Sequence, residues 1–161
     1  MIERVGVVGA GTMGAGIAQI AALGGFEVWI FDPVAGATKR GLDRIRGDLE
    51  RGHARGRWSA EDAEAAWAHL HPAQSVTDLS RCELVIEAAL SVTAIAAGVK
   101  RPRRVVGMHF FNPPALMRLV EVVAGAQSAE RAVAAAIEVA EAMGERRSAP
   151  PTGSASSPTA A

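Results

Sequence analysis

The stretch that decides the fold is Arg4-Val5-Gly6-Val7-Val8-Gly9-Ala10-Gly11-Thr12-Met13-Gly14, close to the start of the 161-residue chain. Its first half is a short apolar run rich in valine, which is typical of a buried strand. Its second half is a G-x-G-x-x-G pattern, and a helical pattern follows it directly. A strand, a glycine-rich turn and a helix in this order are typical of a unit that binds the pyrophosphate of a dinucleotide.

Each glycine has its own physical reason in such a turn. The first, Gly9, permits the tight turn, Gly11 lets the backbone approach a pyrophosphate, and Gly14 lets the helix pack closely on the strand. The free N–H groups and the positive dipole end at the start of the helix then face the phosphates. The residues predicted to hold the dinucleotide here are Gly9, Ala10, Gly11, Thr12, Met13 and Gly14.

An acidic residue, Asp32, ends the next predicted strand, 23 positions after Gly9. A carboxylate at this point can accept hydrogen bonds from both ribose hydroxyls and repels a 2′-phosphate, which favours NAD over NADP. The alternative is that Asp32 caps the following helix, with Pro33 at its first position. Lys39 and Arg40 lie further into that helix and weaken the preference for NAD.

The rest of the chain alternates strands with helices, which predicts a Rossmann-type, doubly wound and mostly parallel α/β sheet. Further strands are predicted at residues 26–31, 83–88, 103–110 and 117–123. We assign residues 1–144 to one dinucleotide-binding domain. Residues 145–161 read ERRSAPPTGSASSPTAA. This segment is predicted to be a disordered tail, because it has too little apolar surface to offset its ordering entropy.

Composition excludes several classes of function. Lys+Arg and Asp+Glu both number 17, so the net charge gives no general case for binding nucleic acid or an anionic membrane. The single cysteine, Cys82, is predicted to be a small buried residue, and no metal site is predicted because His53, His69 and His71 are expected to be solvated. Neither a membrane span nor a secretory signal is recognisable, so we expect a cytoplasmic protein.

His109 and Glu121 are the candidates for acid–base chemistry. His109 ends a predicted strand, and ligands of open α/β sheets bind beyond the carboxyl ends of the strands. A histidine there can take a hydroxyl proton near neutral pH. Glu121, on the next strand-like run, can fix the imidazole tautomer and stabilise the imidazolium. On its own, a histidine at a strand end is more often structural or merely exposed.

Two stretches resemble the L-3-hydroxyacyl-CoA dehydrogenases, namely residues 5–19 and residues 104–113 with the run 119–123 after them. The resemblance implies an enzyme of fatty-acid β-oxidation or butanoate metabolism that oxidises the 3-hydroxyl of an acyl-CoA thioester and passes hydride to NAD. It also implies that His109 is the general base, Glu121 its partner and Asn112 a contact near the nicotinamide.

The chain departs from the pattern of that family in two places. The run Val85-Ile86-Glu87-Ala88 passes almost at once into the helical pattern of residues 90–97. A strand–helix unit of about 30 residues is therefore predicted to be missing, and with it the family's substrate-binding serine. The C-terminal helical domain through which the family dimerises is also expected to be absent. We therefore expect impaired catalysis.

Three other interpretations stay open. In the first, the chain is a catalytically inactive NAD-binding module that a partner completes. In the second, it is a non-functional fragment. The fragment interpretation is considered because the loss of a central strand exposes the edges and apolar faces of the neighbouring strands. A reductase of the ketopantoate or 6-phosphogluconate type is the third, and the run His109-Phe110-Phe111-Asn112-Pro113 argues against it.

Overall fold

The computed structural model describes residues 2–88, 97–110, 119–125, 127–142 and 146–148. The strands in these ranges are β1 (Arg4–Val8), β2 (Glu27–Phe31), β3 (Leu70–Pro72), β4 (Leu84–Glu87), β5 (Val105–Phe110), β6 (Leu119–Ala124) and β7 (Arg146–Ser148). The helices are α1 (Thr12–Leu23), α2 (Ala37–Ala54), α3 (Ala60–Ala68) and α4 (Glu130–Ala142), with 3₁₀ turns at Val76–Arg81 and Pro102–Arg104.

The strands form one sheet in the order β3-β2-β1-β4-β5-β6-β7. Neighbours from β3 to β5 are parallel, β6 is antiparallel to β5, and β7 is parallel to β6. This confirms the predicted doubly wound, mostly parallel architecture. The chain leaves β1 towards β2 on one side and later returns to β4 on the other, so a crevice is expected beyond the carboxyl ends of β1 and β4.

The central strands are buried on both faces. Val5, Val7 and Val8 of β1 are at most 1% exposed, and α1, α2 and α4 pack in one continuous core with one face of the sheet. A smaller cluster on Val8, Leu79 and Val105 covers part of the other face. Burying one such aliphatic side chain contributes about 1.5–3 kcal/mol. No helix within the described ranges is long and apolar enough to cross a membrane.

Strand β4 pairs directly with β5 over three register pairs, Val85↔Val105, Ile86↔Val106 and Glu87↔Gly107. In the sequence, β4 ends immediately before the predicted join. The two strands are parallel, as strands linked by a crossover are expected to be. The sheet is therefore continuous across the place where the strand–helix unit is predicted to be missing.

Two short strands differ from the sequence-based expectations. The helix α3 ends at Ala68, and a strand that the sequence pattern did not predict, β3, follows at Leu70–Pro72. Residues 146–148 form β7 on the edge of the sheet, so the structure differs there from a disordered tail that begins at residue 145. Edge pairing uses backbone groups rather than apolar side chains, and composition therefore gave no signal for it. Residues 149–161 and most of the predicted helix 90–97 lie outside the described residues.

Cys82 is buried, as predicted, with 1% of its surface exposed. Desolvation raises the pKa of its thiol from 9.0 to about 12. The thiolate is the reactive form, so we expect a maleimide reagent to label the unfolded chain and to spare the folded one at neutral pH. Labelling of native protein as fast as in denaturant would contradict this prediction.

The same thiol makes folding pH-dependent. The unfolded chain loses the proton of Cys82 near pH 9.0, whereas the folded chain keeps it up to about pH 12. The unfolded state then binds fewer protons, so the free energy of unfolding falls as the pH rises through this window. Urea unfolding at a series of alkaline pH values should show a smaller loss in Cys82→Ala than in the parent chain.

Candidate functional site

The turn between β1 and α1 has the backbone that its glycines predict. Gly9 has a φ of +96°, in a backbone region that residues other than glycine rarely adopt. Its N–H donates to the carbonyl of Phe31 at 2.8 Å. This bond joins the turn to the end of β2, one residue before Asp32.

Gly14 is the point of closest approach. A Cβ on Gly14 would lie 1.7 Å from the carbonyl oxygen of Gly9, inside any possible contact distance. A second close approach comes from α2, where a Cβ on Gly41 would lie 2.7 Å from the carbonyl oxygen of Ala10. The turn is thus packed between two helices. The sequence pattern does not identify Gly41, because a glycine inside a helical pattern does not show what it packs against.

Gly11, unlike Gly14 and Gly41, has open space where a side chain would be. A Cβ on Gly11 would meet no atom within 4 Å, and the residue is exposed. It precedes α1 as a cap that makes no side-chain hydrogen bond, and the first turn of α1 contains no acidic residue. The first N–H groups of a helix have no intrahelical partner. Open space in front of unpaired donors at a helix start fits a phosphate group.

The carboxylate of Asp32 is tied to this turn. Its Oδ2 accepts the N–H of Ala10 and its Oδ1 accepts the N–H of Val34, each at 2.8 Å. A carboxylate offers about four acceptor positions. Asp32 therefore orders the glycine turn and keeps capacity to accept hydrogen bonds from ligand hydroxyls.

Asp32 does not cap the following helix, as the alternative supposed. The helix α2 begins at Ala37, and its cap is Gly36 with a φ of +74°. The side chain that bridges this connection is Thr38, whose Oγ1 accepts the N–H of Asp32 at 3.0 Å. The loop between β2 and α2 thus leaves the carboxylate at the end of β2 rather than at the start of the helix.

The two cations that weakened the preference for NAD have other contacts. Lys39 forms an ion pair with Asp43 at 2.7 Å. Arg40 donates to the carbonyl of Ala35 at 3.5 Å. With the side chain of Asp32 beside the turn, this end of the site still favours a ribose hydroxyl over a ribose phosphate.

An open cavity of about 660 Å³ adjoins Asp32. The ends of β2 and β3, the loops that follow them and the start of α2 line it, among them Phe31, Val34, Leu42, Pro72 and Gln74. Val34 is 61% exposed, which is high for a large apolar side chain. An apolar wall next to a hydrogen-bonding carboxylate suits a flat base joined to a ribose.

His109 and Glu121 are direct register partners in the antiparallel pair β5–β6. Register partners stand directly opposite each other in the two paired strands. β5 is parallel to β4, and β4 to β1, so His109, near the end of β5, lies at the same sheet edge as the glycine turn. The structure thus brings together the two candidates that are twelve residues apart in sequence. Asn112 lies outside the described residues.

Two other histidines, His69 and His71, were expected from the sequence to be solvated, but each lies beside a carboxylate. The Nε2 atom of His71 is 2.5 Å from one carboxylate oxygen of Glu27, and the Nε2 atom of His69 is 3.7 Å from the other. Glu27 is 42 residues or more away in sequence, so no local spacing revealed this contact. Within the described part of the chain, no group of three or more His, Cys, Asp or Glu is arranged to hold a metal ion.

The sequence matches the family profile described as 3-hydroxyacyl-CoA dehydrogenase, NAD binding domain, over residues 4–90 and 88–147. It is 38% identical to 3-hydroxyadipyl-CoA dehydrogenase of Escherichia coli, over 82% of this chain and 34% of the relative. It is 36% identical to 3-hydroxybutyryl-CoA dehydrogenase of Bradyrhizobium diazoefficiens, over 78% of this chain and 53% of that protein. The chain therefore spans between about a third and about half of these relatives.

The fold is likewise similar to a solved structure. The crystal structure of 3-hydroxybutyryl-CoA dehydrogenase from Escherichia coli superposes with a TM-score of 0.78 and 35% identity, over 92% of this chain and 38% of that one. The superposed region is about two fifths of the solved chain, so the fold described above corresponds to a part of that protein.

The alignments also locate the break in the family pattern. The profile matches in two segments that meet at residues 88–90, where the join was predicted. The alignment with the Escherichia coli relative has 162 positions but takes in 82% of 161 residues, or about 132, so about 30 positions have no residue of this chain. That number is the size of one strand–helix unit, and it agrees with the predicted loss.

Proposed function

The chain belongs to the 3-hydroxyacyl-CoA dehydrogenase family, whose NAD-binding domain it contains, and on that premise we propose that it oxidises (3S)-3-hydroxyacyl-CoA to 3-oxoacyl-CoA with reduced efficiency. The observation that carries the proposal is the pairing of His109 with Glu121 at the sheet edge of the glycine turn. When bound, NAD supplies the hydride acceptor. We place this reaction in the cytoplasm, as the sequence predicts.

The cofactor would be held by the turn and by the end of β2. The open front of Gly11 and the start of α1 fit the pyrophosphate, and the carboxylate of Asp32 fits the adenosine ribose. Asn112 is proposed as a contact near the nicotinamide from the family resemblance alone. The residues assigned to the cofactor are Gly9, Ala10, Gly11, Thr12, Met13, Gly14, Asp32 and Asn112.

Proton transfer would fall to the β5–β6 pair. His109 would take the proton of the substrate 3-hydroxyl as general base, and Glu121 would hold the imidazole tautomer and stabilise the imidazolium. The missing unit carries the serine that binds the substrate hydroxyl in the family pattern. A misplacement of about 1 Å can cost about 100-fold in rate, so turnover below the usual range of about 1–10³ per second is expected.

The test is a fluorescence titration with NADH, followed by reduction of acetoacetyl-CoA monitored through NADH consumption, on one purified sample checked by circular dichroism. Binding with slow turnover would support the proposal. A folded chain that binds neither nucleotide nor acyl-CoA would overturn it, and turnover of about 10 per second or more would remove the claim of impairment.

A second candidate is an NAD-binding module whose chemistry a partner completes. The break at residues 88–90 favours it, because the unit predicted to be missing there carries the family's substrate-binding serine. Adding a separately produced carboxyl-terminal half of the Bradyrhizobium relative distinguishes the two. Activity that appears only with the added domain supports the module.

Asp32→Ala should narrow the preference for NADH over NADPH by weakening NADH binding about tenfold or more. The substitution removes a charged acceptor, and such a bond is worth about 1.5–3 kcal/mol. Thr38→Val is the matched control, since it removes the acceptor of the Asp32 N–H but keeps the carboxylate. Titrations with both nucleotides check the prediction, and an unchanged preference in Asp32→Ala would contradict it.

A further inference from the structure

Arg44 lies beside the glycine turn, although the glycine pattern does not include it. It is on α2, three residues after Gly41, the residue that packs on Ala10. Its Nη1 donates to Oγ1 of Thr12 at 2.7 Å. Thr12 is the first residue of α1, so a guanidinium stands at the helix start where the first N–H groups are unpaired.

The charge of Arg44 is not neutralised within the described part of the chain. Three other cations of α2, namely Lys39, Arg46 and Arg51, form ion pairs with acids of the same helix. Arg44 forms none with any described carboxylate, and its one described polar partner is a neutral hydroxyl. A guanidinium has five N–H donors, so the bond to Thr12 leaves donors for a ligand.

The position and charge suit an anion. The planar fork of arginine can bind phosphate through two parallel hydrogen bonds. The helix start by itself supplies a partial charge of about half a unit, and the whole chain has no net positive charge to attract an anionic ligand. The guanidinium of Arg44, within hydrogen-bonding distance of Thr12, adds a full positive charge to the partial charge at the start of α1.

We propose that Arg44 binds the pyrophosphate of the dinucleotide, together with Thr12 and the first N–H groups of α1. The inference rests on the proposed function, since it assigns a further residue to the same cofactor site. Arg44 is a binding residue in this assignment and takes no part in proton transfer.

The experiment compares Arg44→Gln with the parent chain for three ligands, NADH, ADP-ribose and adenosine. The dissociation constants of NADH and ADP-ribose should rise about tenfold or more, as expected for the loss of a charge-assisted hydrogen bond, and that of adenosine should not change. The salt dependence of NADH binding should become weaker, because one charge contact is lost. Arg57→Gln, which removes an exposed arginine after the end of α2, should leave all three constants unchanged.

Circular dichroism and thermal melting check that each variant is folded, and Arg44→Lys, which keeps the charge without the planar fork, should bind with intermediate affinity. Equal binding of ADP-ribose by Arg44→Gln and the parent would overturn the assignment alone. Equal weakening of all three ligands would show a structural role for Arg44 and would overturn it too. If the parent chain binds neither NADH nor ADP-ribose, the proposed function fails as well.

Discussion

Replacing Gly14 with alanine is expected to abolish NADH binding and to lower the free energy of unfolding by about 3 kcal/mol or more, at the upper end of overpacking costs. The added Cβ would lie 1.7 Å from the oxygen and 2.7 Å from the carbon of the Gly9 carbonyl. Both atoms belong to the backbone, so no side chain can rotate away. Either α1 must move off the turn or the turn must lose its shape.

Gly11→Ala is the matched control for that change. Its Cβ would meet no protein atom within 4 Å, so the variant should fold like the parent chain. It should still bind NADH at least about tenfold more weakly, because the methyl group occupies the space that a pyrophosphate needs to reach the backbone. Urea unfolding and NADH titration of both variants separate the two effects. A Gly14→Ala variant as stable as the parent would contradict the packing described for the turn.

The second large effect is expected on catalysis. His109→Gln should reduce the turnover of acetoacetyl-CoA by about 100-fold or more, since a positioned general acid or base contributes about 10²–10⁴-fold. Its affinity for NADH should stay within about twofold, because the phosphate and ribose contacts proposed here come from β1, α1, α2 and the end of β2. Initial rates at saturating NADH measure the first quantity and titration measures the second.

Glu121→Gln is the companion variant for this prediction. It keeps the size of the side chain and removes the charge that would stabilise an imidazolium, so its rate should fall between those of the parent and His109→Gln. Because the two residues are direct register partners, the double variant should lose less than the product of the single losses. Independent, multiplying losses would show that His109 and Glu121 do not act together.

The parts of the fold that the sequence reveals are those where local pattern and tertiary packing agree. The run of valines before Gly9 and the three glycines predict β1, the turn and α1, and Asp32 stands at the end of β2 as its spacing indicates. The G-x-G-x-x-G pattern has this power because each glycine answers a backbone constraint. In the same way, the break after Ala88 is visible as a strand that meets a helix without turn residues.

The missed features depend on contacts that are distant in sequence. The strand β7 depends on backbone pairing at a sheet edge, and β3 is only three residues long and ends in Pro72. The contact between Glu27 and two histidines brings together residues that are more than 40 positions apart. Gly41 and Arg44 lie in an ordinary helical pattern, and only the packing of α2 on the turn shows their role. Sequence periodicity describes one helix or strand at a time, whereas each of these features depends on a contact between two elements.

The direct pairing of β4 with β5 also sets a distance. Neighbouring strands lie about 4.8 Å apart, so one more strand placed between β4 and β5 would carry β5, β6 and everything attached to them about 4.8 Å further from β1. In this chain His109 and Glu121 are therefore one strand width closer to the glycine turn than in a sheet with that strand present. One ribose joins the pyrophosphate of a dinucleotide to its nicotinamide, so the distance between the two groups is limited. The shortened sheet thus shifts His109, the proposed base, by about one strand width relative to the proposed nicotinamide position, and inserting one strand–helix unit after Ala88 is expected to reverse that shift.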